Sequence, residues 1–302
     1  TGAGWQENRT NREDSIPLRH WHLNDPGVVP NVLQTGAGSP TGMAIYEGSL
    51  LPRPFQGQMI HADAGANVVR AYPAQKNGAG YTAGMINILK NEGDQWFRPA
   101  DVCVAPDGSL IVADWYDPGV GGHAAGDQQR GRIYRVAPPG AKHTMPVFDY
   151  TTPLGALQAL QNPNLSVRHH AYTALLSMGE KALPELEKFW QSTDNDPRMR
   201  ARVLWALVKM PGINKAQREK YIDQAISDSV ADLRITGIRA ARQSGVEITG
   251  IVSRLVDDPD MQTLRECALA LRHCKNPAAA GLWASLATRH NGSDRWYLEA
   301  LG

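Results

Sequence analysis

Residues 99–114 read PADVCVAPDGSLIVAD, which is two short apolar runs joined by Asp107-Gly108. Val, Ile and Leu alternate there with small or polar residues, a pattern typical of strands with one buried face. Glycine tolerates the positive φ that a tight hairpin requires, so Asp107-Gly108 predicts the turn. The stretch therefore predicts a β-hairpin ending in Ala-Asp, and GRIYRVAP at 131–138 predicts a third strand after a loop.

The same order of strands occurs once more, closer to the N-terminus. It runs through MAIYEG at 43–48, QMIHAD at 58–63 and NVVRAYPA at 67–74. A repeated unit of three or four strands is typical of a propeller blade, and two blades are too few to close a ring. Residues 16–140 are therefore predicted to be the C-terminal blades of a β-propeller in a longer polypeptide. The predicted strands are Gly42–Tyr46, Gln58–His61, Asn67–Tyr72, Gly84–Leu89, Asp101–Ala105, Leu110–Asp114 and Arg132–Val136.

After a predicted linker at 141–152, the pattern changes to helical periodicity. Five segments align with an arginine in second place: VRHHAYTAL at 167–175, MRARVLWAL at 199–207, LRITGIRAA at 233–241, LRECALALR at 264–272 and DRWYLEALG at 294–302. Second helices are predicted between them, at Leu183–Gln191, Lys215–Ile226, Ile248–Leu255 and Ala278–His290. Two helices in roughly 30–34 residues are typical of an α-helical HEAT-type solenoid, predicted here for 153–302. Each repeated arginine is expected to bond an Asp or a carbonyl of the neighbouring repeat.

The chain is thus predicted to be multidomain, all-β followed by all-α, after a polar N-terminal segment at 1–15. Its 31 basic and 30 acidic residues give a formal net charge of +1. That balance argues against a general nucleic-acid binder, which usually carries a basic excess. No run of 18 apolar residues occurs, so no membrane span is predicted.

Cysteine usage excludes two kinds of metal site in this chain. Cys103, Cys267 and Cys274 form neither a CxxC nor a CxxCH motif, so no zinc knuckle and no covalent haem site is predicted. Cys267 and Cys274 lie roughly 10 Å apart on a predicted helix, beyond disulfide reach. All three are predicted to be buried apolar residues.

Two aspartates occupy the same place in the two β copies, at the end of the second strand. Asp63 and Asp114 could therefore line one mouth of a propeller channel and bind a polar ligand or Ca²⁺, which prefers carboxylate and carbonyl oxygens. The alternative is that each Asp caps the following loop through backbone N–H groups. Other candidate residues near this mouth are His61, Arg98, Trp115, Asp117 and His123.

The segments around Arg98 and His123 indicate that both residues are candidates for a functional role. Arg98 precedes a strand and could bind an anionic ligand bidentately; alternatively it pairs with Asp94 or Asp101. His123 lies in a Gly-rich loop that is too long to be a mere connection. No phosphate-binding loop or strong hydrolase motif occurs in the chain.

Several strings of this sequence resemble a known family. They include GSPTGMAIYEGSLLP, IHADAGANVVRAYPA and WFRPADVCVAPDGSLIVADWYDPGVGGHAAGD. They resemble the last blades of glucose/sorbosone dehydrogenase-like propellers. The likeness extends to the large secreted "membrane-bound dehydrogenase" proteins of planctomycete and verrucomicrobia type, in which HEAT repeats and a c-type cytochrome domain follow the propeller. The match spans residues 4–140 and, in outline, the helical part.

The resemblance implies a periplasmic or secreted oxidoreductase that uses pyrroloquinoline quinone (PQQ) with Ca²⁺. Arg98 matches the first Arg of the family's RxRDV cofactor motif, but Ala100 stands at the second, and Asp63 falls where the family has a Lys. A carboxylate there would repel the tricarboxylate quinone by roughly 1 kcal/mol or more. The catalytic histidine of such enzymes lies in earlier blades, so the catalytic residues are unknown and this segment alone is expected to be inactive.

Two functions follow as hypotheses. The first is part of a sugar dehydrogenase-type oxidoreductase that passes electrons to a haem domain outside this chain. The alternative is a non-catalytic propeller and HEAT module that binds a sugar-like small molecule or, through the helical array, a protein partner.

Overall fold

The computed structural model describes residues 28–33, 35, 38–118 and 129–302. Strands occupy the described chain up to residue 136, and α-helices occupy it from residue 153 onward. The predicted order of an all-β part followed by an all-α part is confirmed. Residues 1–15 and His123 lie outside the described residues. Within the described ranges, no helix has the length and apolarity needed to cross a bilayer.

The strands form two antiparallel sheets and a separate two-stranded ribbon. The first sheet has the order β1-β2-β3-β6, the second β7-β8-β9, and the ribbon pairs β4 with β5. Their bounds are β1 Pro40–Tyr46, β2 Gln58–Asp63, β3 Val68–Tyr72, β4 Ala74–Asn77, β5 Gly80–Ala83, β6 Ile86–Lys90, β7 Pro99–Val104, β8 Leu110–Asp114 and β9 Arg132–Val136. All seven predicted strands are present within two residues of their predicted limits, whereas the ribbon was not predicted.

The hairpin between β7 and β8 forms as its sequence predicts. Gly108 has a φ of +85°, the left-handed conformation that other residues avoid. The Asp107 carboxylate accepts hydrogen bonds from the backbone N–H and the hydroxyl of Ser109, at 3.0 and 2.7 Å. Burial raises the pKa of Asp107, but the hydrogen bonds from Ser109, with those from His143 and Arg135, outweigh it and hold the pKa well below its usual range. The turn is therefore fixed locally.

The two sheets pack face to face around one apolar core. Alternate residues of each strand point inward, because successive side chains of a strand face opposite sides. The buried residues of this core are Tyr46, Leu51, Ile60, Ala62, Val69, Ala71, Val102, Val104, Leu110 and Val112. The first sheet thus contributes Ile60 and Ala62 to this core, and the second sheet contributes Leu110 and Val112.

The helices begin where the sequence offers capping side chains. Asn164, Asp196, Asn214, Asp260 and Asp294 each accept a backbone hydrogen bond as N-cap residues. The bounds are α1 Pro153–Leu160, α2 Leu165–Met178, α3 Leu183–Gln191, α4 Pro197–Lys209, α5 Lys215–Ile226, α6 Ala231–Gln243, α7 Ile248–Leu255, α8 Met261–Leu271, α9 Ala278–Ala287 and α10 Arg295–Leu301. Three of the four predicted second helices have the predicted limits, and the fourth ends three residues early.

The helices pack in two rows. Helices α2, α4, α6, α8 and α10 follow one another in contact, and α7 packs against α9 in the other row. The arginine prediction is confirmed at two positions: Arg200 Nη2 bonds Asp228 at 2.8 Å, and Arg234 pairs with Asp258 at 2.7 Å. Arg168 and Arg265 contact the β part instead, so the prediction is wrong for them.

The β4–β5 ribbon leaves the first sheet and docks on the helices. It continues β3 and β6 past a bend at Pro73 and Gly84, where Gly84 N–H donates to Pro73 O at 3.0 Å. At its tip, Ala79 is fully buried in the helical core. Ala79 N–H donates to the Asp294 carboxylate at 2.7 Å, and the Gln262 amide donates to Gly80 O at 2.7 Å. The helices therefore bind this ribbon through its backbone at the tip and through the Lys76 and Tyr81 side chains beside it.

A second attachment joins the two parts near the start of the helices. The Glu47 carboxylate, after β1, pairs with both Arg168 and Arg202. The Asn164 side-chain amide donates to Val104 O at 2.7 Å. The first-row helices are thus held to the β part at both ends.

The cysteine prediction is partly wrong. All three cysteines are unpaired, and Cys267 is buried as predicted. Cys103 is exposed, because it lies on the outer face of β7, where no described element covers it.

Candidate functional site

Asp63 is the last residue of β2, and its carboxylate caps the loop that follows. Its Oδ1 atom accepts hydrogen bonds from the backbone N–H groups of Ser39 (2.9 Å), Gly65 (3.1 Å) and Ala66 (3.3 Å). Its Oδ2 atom lies 3.8 Å from Arg70 Nη1. The carboxylate is almost completely buried, so these contacts explain how its charge is tolerated.

Asp114 makes the same contacts at the end of β8. Its Oδ1 atom accepts from the backbone N–H groups of Arg98 at 2.8 Å and Tyr116 at 3.0 Å. Its Oδ2 atom accepts from Arg132 Nε at 2.8 Å. In both copies the aspartate therefore bonds the residue before the first strand and the residue two positions after itself. The loop-cap alternative is confirmed for Asp63 and Asp114.

Arg98 connects the two aspartate loops through backbone contacts. Its side-chain nitrogens donate to three carbonyl oxygens, those of Ala64 (2.9 Å), Asp117 (3.1 Å) and Pro118 (3.4 Å). Asp94, one predicted partner, pairs with Arg132 at 3.2 Å instead. Arg98 thus lies beside both aspartates, as the sequence predicts, but its donors are engaged by the protein itself.

Trp115 lies at the same end of the sheets and is exposed. Its indole N–H donates to Asp117 Oδ2 at 3.0 Å, and its backbone N–H donates to Arg98 O at 2.8 Å. Asp117 is buried. The structure therefore brings Asp63, Asp114 and Arg98 together with Trp115.

These residues do not fit a PQQ and Ca²⁺ site in this arrangement. Both oxygens of Asp114 and one of Asp63 already accept hydrogen bonds, and Arg98 donates to carbonyls rather than outward. In the described part of the chain, no group of three or more His, Cys, Asp or Glu side chains is arranged to hold a metal ion. Asp63 would also repel a polycarboxylate.

His61 lies two residues before Asp63 in β2, on the outer face of the first sheet. Strand register aligns Met43, His61 and Arg70 in one cross-strand row, and aligns Ile45, Met59 and Tyr72 in the next. A cavity of about 300 Å³ lies between this face and residues 31–33 and 35. Its sheet side is lined by Met43, Met59, His61, Tyr72 and Ala83.

His61 and Tyr72 form a polar pair in this cavity. His61 Nδ1 lies 3.1 Å from the Tyr72 hydroxyl. Burial lowers the pKa of His61 and Arg70 lowers it further, although Asp63 opposes both. Burial raises the pKa of Tyr72. Both groups are therefore neutral near pH 7 and can exchange hydrogen bonds with an uncharged polar ligand.

Arg70 lies beside this pair and is mostly buried. Its Nε and Nη1 atoms make no hydrogen bond within the described residues, and Asp63 balances its charge at 3.8 Å. A buried arginine with unused donors is unusual, because such groups cost free energy when unpaired. Strand register places it directly opposite His61, a residue that lines the cavity.

Sequence reasoning missed Arg70 and Tyr72, although the repeat held a signal for them. When the two copies are matched by their strand register, His61, Arg70 and Tyr72 of the first sheet correspond to Val112, Tyr134 and Val136 of the second. The second sheet uses its three residues in the core between the sheets. A position-by-position comparison of the two copies would have shown that the first sheet has polar residues where the second has apolar or aromatic core residues.

Comparison with known proteins identifies one family whose model matches part of the chain. Residues 6–140, just under half of the chain, match a family described as a domain of unknown function (DUF7133). No curated protein matches the chain. The matched range ends at the linker before the helices.

Proposed function

We propose that this chain is a non-catalytic binding module whose small-molecule site is the cavity on the outer face of the first sheet. In this proposal the β part consists of propeller-type blades. Support comes from the two sheets, which share strand order, a bulge after the first proline and an aspartate cap. They also stack face to face through one core, as neighbouring blades do.

The helical part is proposed to be a HEAT-type array. Paired helices that follow one another in two rows favour this interpretation, as does an Arg–Asp contact repeated between neighbouring pairs. Contacts with the β part occupy the first row, so a protein partner would bind the second row, which is α3, α5, α7 and α9.

One observation carries the binding proposal. His61, Arg70 and Tyr72 are polar at positions where the second sheet has apolar or aromatic core residues, and two of them line a cavity. Ligand pockets combine apolar walls with a few convergent polar groups. Met43 and Met59 offer an apolar wall, and the His61–Tyr72 pair offers hydrogen bonds. This combination suits a sugar-like ligand, which has an apolar ring face and a hydroxylated edge.

We expect D-glucose or D-galactose to bind in the millimolar range, and Tyr72→Phe and His61→Leu each to weaken that binding at least about tenfold. Affinity should fall once the pH is lowered through the pKa of His61, which burial holds below the ordinary histidine value, because the imidazole then becomes charged. Chemical shifts in NMR titrations at several pH values measure both effects. Trp115→Ala, at the aspartate end, serves as the control and should bind normally. Absence of sugar binding, or equal weakening by the control, would contradict the proposal.

The second candidate is a secreted or periplasmic sugar dehydrogenase-type oxidoreductase with PQQ and Ca²⁺. The observation in its favour is that Asp63, Asp114, Arg98 and Trp115, which the resemblance places at the cofactor, lie together at one end of the sheets. Its haem partner would lie outside this chain.

Titration of PQQ with Ca²⁺ tests that candidate through the absorbance of the quinone. The dehydrogenase proposal expects a saturable spectral change that Arg98→Ala abolishes. The binding-module proposal expects no change at micromolar protein, because Arg98 already donates to backbone carbonyls. Since sugar binding is measured without quinone, the two candidates can fail separately.

A further inference from the structure

The chain contains two Asn-Gly dipeptides in different surroundings. Asn77-Gly78 lies at the tip of the β4–β5 ribbon, and Asn291-Gly292 lies just before α10. Both asparagines are exposed. In such a dipeptide the backbone nitrogen of the glycine can attack the side-chain carbonyl of the asparagine, because glycine has no side chain to hinder the approach. Neighbouring groups therefore decide how fast each pair reacts.

Three donors surround the side-chain oxygen of Asn291. Its Oδ1 atom accepts hydrogen bonds from the backbone N–H groups of Ser293 and Asp294, both at 2.9 Å. It also accepts one from the Ser293 hydroxyl at 3.1 Å. Donors directed at a carbonyl oxygen stabilise the negative charge that develops on it when a nucleophile attacks its carbon. The fold thus places an oxyanion hole on this side chain.

A histidine contacts the nucleophile of the same pair. The Gly292 N–H group donates to Nδ1 of His290 at 3.2 Å. His290 Nε2 lies 3.2 Å from the Asp294 carbonyl oxygen, which only accepts, so Nε2 carries the hydrogen and the neutral ring has its lone pair on Nδ1. The imidazole also stacks on the Tyr297 ring, at an interplanar angle of 12°. A general base is therefore held against the reacting N–H group.

We propose that Asn291 is a site of self-catalysed deamidation. His290 Nδ1 takes the proton from the Gly292 nitrogen, which forms a bond to Cγ of Asn291. The bond from Cγ to Nδ2 then breaks, and the proton passes from His290 to the leaving nitrogen, which departs as ammonia. Water opens the resulting succinimide ring at either of its carbonyl groups. Residue 291 thus becomes an aspartate or an isoaspartate.

Asn77 provides a comparison within the same chain. Within the described residues its side chain makes no hydrogen bond, and no histidine contacts the Gly78 nitrogen. It therefore has the same dipeptide without the base and without the oxyanion hole. The folded chain should distinguish the two sites, and the unfolded chain should not.

Incubation of the folded chain at about pH 8, where histidine side chains are ordinarily neutral, tests the proposal. Trypsin separates the two sites into the peptides 290–295 and 77–90. Mass spectrometry follows the conversion, because the acid is heavier than the amide by about 1 Da. We expect Asn291 to react at least about tenfold faster than Asn77 in the folded chain. In urea the two rates should agree within a factor of about two.

His290→Phe keeps a ring on Tyr297 but removes both nitrogens, so Asn291 should then react no faster than Asn77. His169→Phe alters an exposed histidine on α2 and serves as the matched control, with an unchanged rate. Circular dichroism establishes that the variants are folded, and His290→Gln replaces the first if it is not. Equal rates at the two sites in the folded chain, or an unchanged rate in the folded His290 variant, would overturn the proposal.

Isoaspartate formation should also loosen the ribbon. It adds one methylene to the backbone shortly before Asp294, whose carboxylate caps α10 through the Tyr297 N–H group and binds the Ala79 N–H group. Hydrogen exchange of residues 74–83 should therefore rise in the aged chain. Asn291→Asp carries the new charge without the extra methylene and should exchange like the fresh chain. Equal exchange in the aged and fresh chains would contradict this coupling. Neither asparagine lines the cavity at His61, so these tests are independent of sugar binding.

Discussion

Replacing Asp258 by alanine is expected to lower the free energy of unfolding by about 3 kcal/mol. Asp258 accepts two hydrogen bonds from Arg234, each of 2.7 Å, and both side chains are largely buried. The hydrogen bond to Asp258 is the largest cause that raises the pKa of Arg234. An arginine is charged at neutral pH even without such a partner, because its ordinary pKa lies far above 7. Asp258→Ala removes both carboxylate hydrogen bonds of this largely buried guanidinium, which keeps those to the carbonyl oxygens of Asp228 and Ser229. Urea unfolding followed by circular dichroism at 222 nm measures the loss.

An exposed ion pair of the same length provides the control. Arg254 Nη1 lies 2.7 Å from Asp223 Oδ1, but about half of each side chain is exposed. Solvent screens such a pair, so Asp223→Ala should change stability by no more than about 1 kcal/mol. Equal losses in the two variants would mean that burial is not the reason for the effect.

Replacing Gly80 by alanine is expected to cost about 2 kcal/mol and to release the β4–β5 ribbon from the helices. A Cβ atom on Gly80 would lie 2.3 Å from ring atoms of Trp296, which α10 holds in place. The Gly80 carbonyl also accepts a hydrogen bond from the Gln262 side-chain amide, so displacement of Gly80 breaks that bond as well. Hydrogen exchange of residues 74–83 should rise well before global unfolding.

Gly84, at the bend of the same ribbon, is the matched control. A Cβ atom there meets nothing within 4 Å, and its φ is not in the left-handed region. Gly84→Ala should therefore be neutral or slightly stabilising, because alanine restricts the unfolded chain. If hydrogen exchange of residues 74–83 rises equally in the two variants, the Trp296 contact does not hold the ribbon.

The helices could be predicted closely because their signals are local. Asn214 begins α5 with a capping box completed by Gln217, and both residues belong to the segment that they cap. The hairpin at Gly108 is equally local. Such features depend on neighbours in the chain, so a single sequence is enough to find them.

The candidate site was predicted only in part. The equivalence of Asp63 and Asp114 was visible in the repeat, and the structure places them in equivalent loop caps. Whether their oxygens were free for a ligand depended on Ser39 and Arg98, whose backbone positions no spacing reveals. The cavity at His61 and Tyr72 likewise depends on residues 31–33 and 35, which line it from outside the sheet.

Local sequence signals were enough to predict the change from strands to helices, the limits of most elements and the repeat of each unit, because periodicity and capping act over a few residues. The ribbon at 74–83, the joining of the two parts through Glu47 and Asp294, and the cavity at His61 and Tyr72 depend on long-range packing instead. Polar, small residues such as those of the ribbon have little strand preference of their own. The ribbon is stabilised by backbone bonds to helices about 200 residues away, and such long-range contacts leave no periodic trace in the chain.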